Sequence, residues 1–279
     1  MAPILYISPP SPLKKIVKHF WYVAVSNPDK QVFTYSILAD GAPGIIFQHY
    51  RGRSAVAQAD GTLLPVAFIY GQNSSACLNY LTGAPAVFGV SLQPAALKCL
   101  FSMDAHLAYS TVLDATHFFS SAWLEQLFHT ARLGELVQLF STKLVQQLAD
   151  NTLDQMITQS TQWMTQNPTP LDSKILASHF NISRRQFQRR FKAQIGVCPE
   201  QYTHITRFQR AIHWLLSGRY KKLSDISYAL NYADQSHFNR AFKQLAGCTP
   251  KEFLKLSTLS QPFYQYKSHS FAPLRILKT

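Results

Sequence analysis

Two stretches of this 279-residue chain carry similar hydrogen-bonding side chains about 51 residues apart. The first holds Arg184, Arg185, Gln188 and Arg189, and the second Gln235, Ser236, Asn239, Arg240 and Lys243. An arginine can donate twice to the edge of a guanine, and a glutamine or asparagine can pair bidentately with adenine. Lysines and the free N–H groups at a helix N-terminus suit phosphate oxygens, which orient a protein without selecting a sequence. Such side chains read a duplex only when a rigid element carries them, so the surrounding residues decide what they can do.

Those residues form an internal repeat. At a shift of 51, Phe187 falls on Phe238, Arg189 on Arg240, Phe191-Lys192 on Phe242-Lys243, Gly196 on Gly247 and Pro199 on Pro250. Upstream the shift is 50, pairing Leu176 with Ile226, Phe180 with Leu230 and Asn181 with Asn231. Each copy predicts a short amphipathic helix (Leu171–His179; Leu223–Leu230) ending at an Asn that tolerates a left-handed turn. Ser183 and Asp234 then stand as N-caps of a second helix. Its phenylalanines, four apart, face the core. Helix, tight turn and a helix with a basic outer face describe a helix-turn-helix unit, present twice. Solvated helices of an ordinary bundle are the plainer alternative for either copy alone.

Between the copies, Tyr202, Ile205, Phe208, Ile212, Leu215 and Leu216 form one apolar face of a helix over Pro199–Gly218. A rod of 15–20 residues spans roughly 22–30 Å, which suits two successive major grooves about 34 Å apart, with bending of the DNA if the rod falls short. Arg207, Arg210 and Arg219 lie off that face and are candidate phosphate contacts, with ordinary surface charge the alternative. Ser183, Arg184, Lys192, Ser236 and Lys243 join them as expected backbone contacts. Charge follows the repeat: residues 1–150 carry a net +1, whereas residues 151–279 carry +12. A neutral half joined to a basic half suggests that one part meets a polyanion and the other handles something else.

The first 95 residues read as short β segments, with strands over Val17–Val25, Gln31–Leu38, Gly44–His49, Val66–Tyr70 and Ala86–Leu92. Asp40-Gly41 and Asp60-Gly61 supply turns. A small sandwich or barrel follows, and the chain as a whole is α+β. Helices are expected from Pro94–Phe101, Ser121–Gln147 and Leu153–Met164. The Leu/Phe stripe of the second either packs on its own domain or forms a homodimer interface. Domain limits are expected at 1–150, a linker helix and Pro-containing linker at 151–168, the basic domain at 169–258, and a tail at 259–279 without an interpretable motif.

The segments ISRRQFQRRFKAQIG and YADQSHFNRAFKQLAGCTPKEF resemble the paired helix-turn-helix domain of AraC/XylS-family transcriptional regulators over Thr169–Leu256. Both turns carry Asn where that family usually has Gly. The resemblance implies base reading by Arg185, Gln188 and Arg189 in the first unit, and by Gln235, His237, Asn239 and Arg240 in the second. It implies double-stranded DNA as partner, and RNA polymerase as well if the protein is an activator. ILADGAPGIIF and GVSLQPAALKCLF resemble sensor domains of a subset of these regulators, many of which bind a small effector in a cupin-like barrel. The His-x-His metal motif of enzymatic cupins is missing and His49 stands alone in QHY, so no metal or other cofactor is expected. Phe33, Tyr35, Phe47, His49, Tyr70 and Phe88 are candidates for an effector pocket, with core packing the competing use.

Two other classes compete. A DNA-repair enzyme with a similar basic domain needs an activated Cys in a Pro-Cys-His setting or a metal cluster. Cys198 and Cys248 are in neither setting, and no hydrolase elbow, phosphate loop or paired-carboxylate motif appears in the first half. A non-specific nucleic-acid packager spreads its basic residues evenly, unlike this chain. Four cysteines without a CxxC pair, an N-terminus with Pro and Lys where a signal peptide is apolar, and no long apolar run lead to the expectation of a cytoplasmic, non-membrane protein.

Overall fold

In the computed structural model, which describes residues 4–25, 32–130, 132–148, 151–167, 169, 171–259 and 276–278, the first half is built on two antiparallel sheets. The strands are β1 (Leu5–Ile7), β2 (Val17–Ala24), β3 (Phe33–Ile37), β4 (Gly44–His49), β5 (Val56–Gln58), β6 (Ala67–Tyr70), β7 (Cys77–Leu81) and β8 (Ala86–Leu92). Then come α1 (Ala96–Phe101), β9 (Val112–Asp114), α2 (Ser121–His129) and α3 (Leu133–Leu148). One sheet runs β1-β2-β8-β4-β6-β9. The other pairs β3, β7 and β5, and its edge is extended by β10 (Ile276–Lys278), which sets Ile276 opposite Ile37.

The six-stranded sheet is covered on both faces. Alternation along each strand therefore feeds two different cores. On β4, Ile45 and Phe47 face the core shared with the helices, while Ile46 faces the space between the sheets. On β8, Phe88 and Val90 take the helix side and Val87 the inter-sheet side. Such strands read as continuous apolar runs, which made them visible in the sequence. The short strands β1, β5, β7 and β9 were not anticipated, because three to five residues of mixed polarity carry little periodic signal.

The helical stretch expected over Ser121–Gln147 is two helices, α2 capped by Ser120 and α3 beginning at Leu133. Its stripe is spent at home: Leu127, Leu136, Phe140 and Leu144 are buried against the six-stranded sheet, so that stripe is not a free dimer surface.

The second half is all helical: α4 (Gln155–Gln166), α5 (Ser173–His179), α6 (Arg184–Ile195), α7 (Pro199–Ser217), α8 (Leu223–Ala229), α9 (Gln235–Ala246) and α10 (Pro250–Leu259). The expected linker helix is α4, and it is no linker. Its Ile157 and Met164 are buried with Leu176, Phe187 and Phe191 in the core of the first helix-turn-helix unit. Residues 149–150, Pro168, Pro170 and 260–275 lie outside the described residues, as do the side chains of Phe33 and Tyr35.

The two halves share cores instead of touching at a point. Leu38 and Ala39 are buried with Phe208, Phe238 and Phe242 of the second unit, and Ala95 with Phe187 and Phe191 of the first. Gly196, the C-cap of α6 at φ +98°, suits glycine alone in conformation and is tight as well: a Cβ there would stand 3.0 Å from the Ala105 carbonyl oxygen. The β half is thereby seated against both helix-turn-helix units.

Candidate nucleic-acid interface

Helices α6 and α9 are copies in register. Both are 12 residues long, and their first residues, last residues and C-cap glycines are all offset by 51. Ser183 accepts from the Gln186 N–H while the Gln186 side chain returns a bond to the Ser183 N–H, closing a capping box. Asp234 caps α9 by accepting from the His237 N–H at 2.7 Å. Asn181 and Asn231 sit at φ +53° and +55°, the left-handed turn that the sequence required of them. Inward, Phe187, Phe191 and Ile195 are buried on α6, and Phe238, Phe242 and Leu245 on α9. These buried faces fix which side chains remain outside.

On that outside, Arg185, Arg189, Gln235, Ser236 and Arg240 are exposed, with Ser183, Lys192 and Lys243 exposed beside them. Gln188 is half-buried and donates to Glu200 Oε1 at 3.2 Å. The same oxygen accepts from Ser173 Oγ at 2.7 Å and Arg184 Nη2 at 3.3 Å, tying α5, α6 and the start of α7 together. Partial burial opposes ionisation of Glu200, but the hydrogen bonds, led by Ser173, outweigh it and bring the carboxyl down to about 2. His237 is half-buried with its ring edge-on to Tyr232. Asn239 has its Oδ1 buried and without a hydrogen-bond partner, so it must change rotamer before that oxygen can meet a base.

Two of the expected phosphate contacts have other duties. Arg207 is buried: Nε donates to Leu230 O at 3.0 Å, Nη2 donates to Asn231 O at 2.6 Å, and the guanidinium lies 3.8 Å from the Tyr232 ring centre. It faces the turn of the second unit and is withdrawn from any phosphate. Arg210 is half-buried and donates to Thr165 O at 2.5 Å, fastening α4 to α7. Arg219 remains exposed. A helical pattern separates apolar from polar positions but cannot tell a solvent-facing arginine from one that a neighbouring turn recruits.

The effector-pocket candidates divide by strand face. Phe47 and Phe88 point into the helix-side core, where Phe47 meets Phe128 at 5.5 Å and Phe88 meets Phe140 at 5.0 Å. His49 packs against Phe47 and Phe128, each at 5.2 Å, and its Nδ1 accepts from the Gly52 N–H at 3.4 Å. Of the candidates with described side chains, only Tyr70 lines the cavity between the sheets, about 270 Å³ in volume, together with Trp21, Val23, Ile46, Phe68 and Leu81. Phe47, His49 and Phe88 pack on the face of the sheet turned away from this cavity, because side chains alternate along a strand.

Among the described residues, no group of three His, Cys, Asp or Glu side chains is placed to hold a metal ion. All four cysteines are free, and burial pushes each thiol up, away from the activated thiolate that alkyl transfer needs. No described helix is long and apolar enough to cross a membrane.

Two helix-turn-helix units held by one rod, α7, define a paired helix-turn-helix DNA-binding domain. Residues 176–256 match a family model described as a helix-turn-helix domain, and residues 6–114 match one described as a domain of unknown function. The chain is 26% identical over 173 residues to the probable transcriptional regulator LumQ of Photobacterium leiognathi, covering 51% of this chain and 69% of that one. It is 31% identical over 77 residues to the HTH-type transcriptional activator RhaS of Escherichia coli O139:H28, covering 28% of this chain and 27% of RhaS. The alignment thus spans about a quarter of RhaS. ToxT from Vibrio cholerae is similar at 11% identity and a TM-score of 0.45, covering 85% of this chain and 98% of that one. Residues 176–256 therefore form a helix-turn-helix DNA-binding domain, similar in sequence to those of the transcriptional regulators LumQ and RhaS.

Proposed function

We propose that the whole chain is a transcription regulator that sets α6 and α9 into successive major grooves of one operator, under the control of its β domain. Arg185, Arg189, Gln235 and Arg240 read base edges, joined by Gln188, His237 and Asn239 once their present partners release them. Ser183, Arg184, Lys192, Ser236 and Lys243 hold phosphates. The carrying observation is the register of the two helices, offset by 51 residues at both ends with their arginines outward. At 19 residues α7 runs roughly 28 Å, short of the groove repeat, so the operator bends toward the protein.

The effector is a small, mainly apolar molecule in the inter-sheet cavity. Tyr70 Oη and Trp21 Nε1, both buried without a partner, suit a ligand with one or two acceptor atoms on an apolar body. A route to the DNA-reading half runs through the loop after β3. Tyr70 feels the charge of Asp40, and next to Asp40 the Ala39 carbonyl accepts from Gln209 of α7. The reading needs no catalytic group. It has the protein act in the cytoplasm and, as an activator, touch RNA polymerase; a homodimer would use a face of the β domain other than the buried stripe.

The test is a gel shift of the full chain on its own promoter region, with random duplex as competitor. A specific complex that resists a large excess of random DNA is expected. Equal competition would leave only non-specific binding and overturn the reading. For the effector, Ile46→Trp fills the cavity and is expected to lock the response to any ligand that alters the shift.

A further inference from the structure

The cavity between the sheets has a counterpart at the junction of the two halves. It is a cleft of about 990 Å³ where the β domain meets α4 and α7. Its charged lining is unbalanced: Lys14, Lys15 and Lys18 line it against a single carboxylate, Asp40. Strand β2 carries Lys18 into the wall of the cleft, where its charge interacts with that of Asp40 and leaves the Lys14 and Lys15 charges in excess. Across from the lysines, Gln209 of α7 is 3% exposed. Its Nε2 is committed to the Ala39 carbonyl, while its Oε1 is buried and unpaired. His19 Nε2, beside Lys18, is likewise buried without a partner.

A buried polar atom left unpaired costs a large part of its desolvation energy, and buried polar groups are satisfied in the great majority of cases. Two such atoms and an excess of ammonium groups over carboxylates around one cavity call for an occupant. The excess of cations sets its charge, and the carboxamides set its other groups. We propose that this cleft is a binding site for a small hydrophilic oxyanion, a carboxylate or phosphate that also bears hydroxyl groups. The oxyanion sits on Lys18, with Lys14 and Lys15 at the mouth. A hydroxyl donates to Gln209 Oε1, and His19 supplies a further hydrogen bond. Because the lysines belong to the β domain and Gln209 to the rod of the DNA-reading half, the occupant fastens one to the other. This site is separate from the inter-sheet cavity, and its occupancy is measured without DNA.

The test is thermal unfolding of the full chain, titrated separately with citrate and with inorganic phosphate, each against sodium chloride at matched ionic strength. A saturable rise in Tm beyond the salt control is expected from at least one of them, and which one responds assigns carboxylate or phosphate. Lys18→Gln is expected to raise the apparent Kd at least tenfold. Gln162→Trp, an exposed position of α4 on the rim, fills the cleft without changing charge and is expected to abolish the saturable rise even if Lys18→Gln folds poorly. The double variant Lys192→Gln, Lys243→Gln, on the DNA face, is expected to keep it. No saturable rise, a rise that survives Gln162→Trp, or a rise lost in the DNA-face variant would each overturn the proposal.

Discussion

Arg207 Nη2 donates to the Asn231 carbonyl at 2.6 Å, so the rod between the two units grips the left-handed turn of the second. With Nε on the neighbouring Leu230 carbonyl, one guanidinium satisfies two acceptors at the end of α8. Arg207→Ala leaves both without their charged donor and is expected to cost about 2–4 kcal/mol of stability. Urea unfolding of the full chain measures it. An unchanged midpoint would show that water replaces the arginine at little cost.

Arg189 and Arg240 occupy the same position in the two reading helices, and both are exposed. Replacing either with Ala is expected to cost about 1–3 kcal/mol of binding to the operator and to relax base preference at one position. Binding to a panel of single-base operator variants reads this directly. A loss equal across the panel would reassign that arginine to phosphate.

Lys192 and Lys243 are the corresponding lysines one turn on, also exposed. Each change to Gln is expected to weaken all duplexes alike and to lower the slope of log K against log salt by about 1. A change in base preference instead would place the lysine in the groove.

Acid should loosen the protein in two windows. Burial, helped by the positive charge of Lys18, lowers His19 to about 4 from 6.5. The unfolded chain then binds more protons than the folded one between those values, so stability falls as pH drops from about 6.5 toward 4. Glu200, held near 2 against 4.5, adds stability above 4.5 that is lost as pH falls further toward 2. His49 and His204, also lowered by burial, share the first window, so His19→Gln should shrink it without abolishing it and leave the second. Urea midpoints across this pH range test the assignment, and a first window unchanged in His19→Gln would refute it.

The DNA-reading half was legible because its signal is local and doubled. Phe187/Phe191 and Phe238/Phe242 mark the buried faces, Ser183 and Asp234 the starts, Asn181 and Asn231 the turns, and a second copy confirms each. Helix period and capping act within a few residues, so the chain alone carries them. Strands β4 and β8 were legible to the residue for a related reason, being apolar on both faces.

The side on which each β-strand residue falls was not legible. A strand covered on both faces gives two equivalent apolar rows, and only the placement of the helices sends Phe47 and Phe88 one way and Ile46 the other. Asp40 read as a turn residue, and its loop proved to seat the β domain on α7. Arg207 read as a phosphate contact, and it became a clamp because Asn231, 24 residues away, folds back within reach. The sequence by itself determined which two helices repeat and turn a polar face outward, since periodicity and capping are short-range. The tertiary structure alone decided which charges stay free on that face, since burial and pairing depend on neighbours that the chain brings together only on folding.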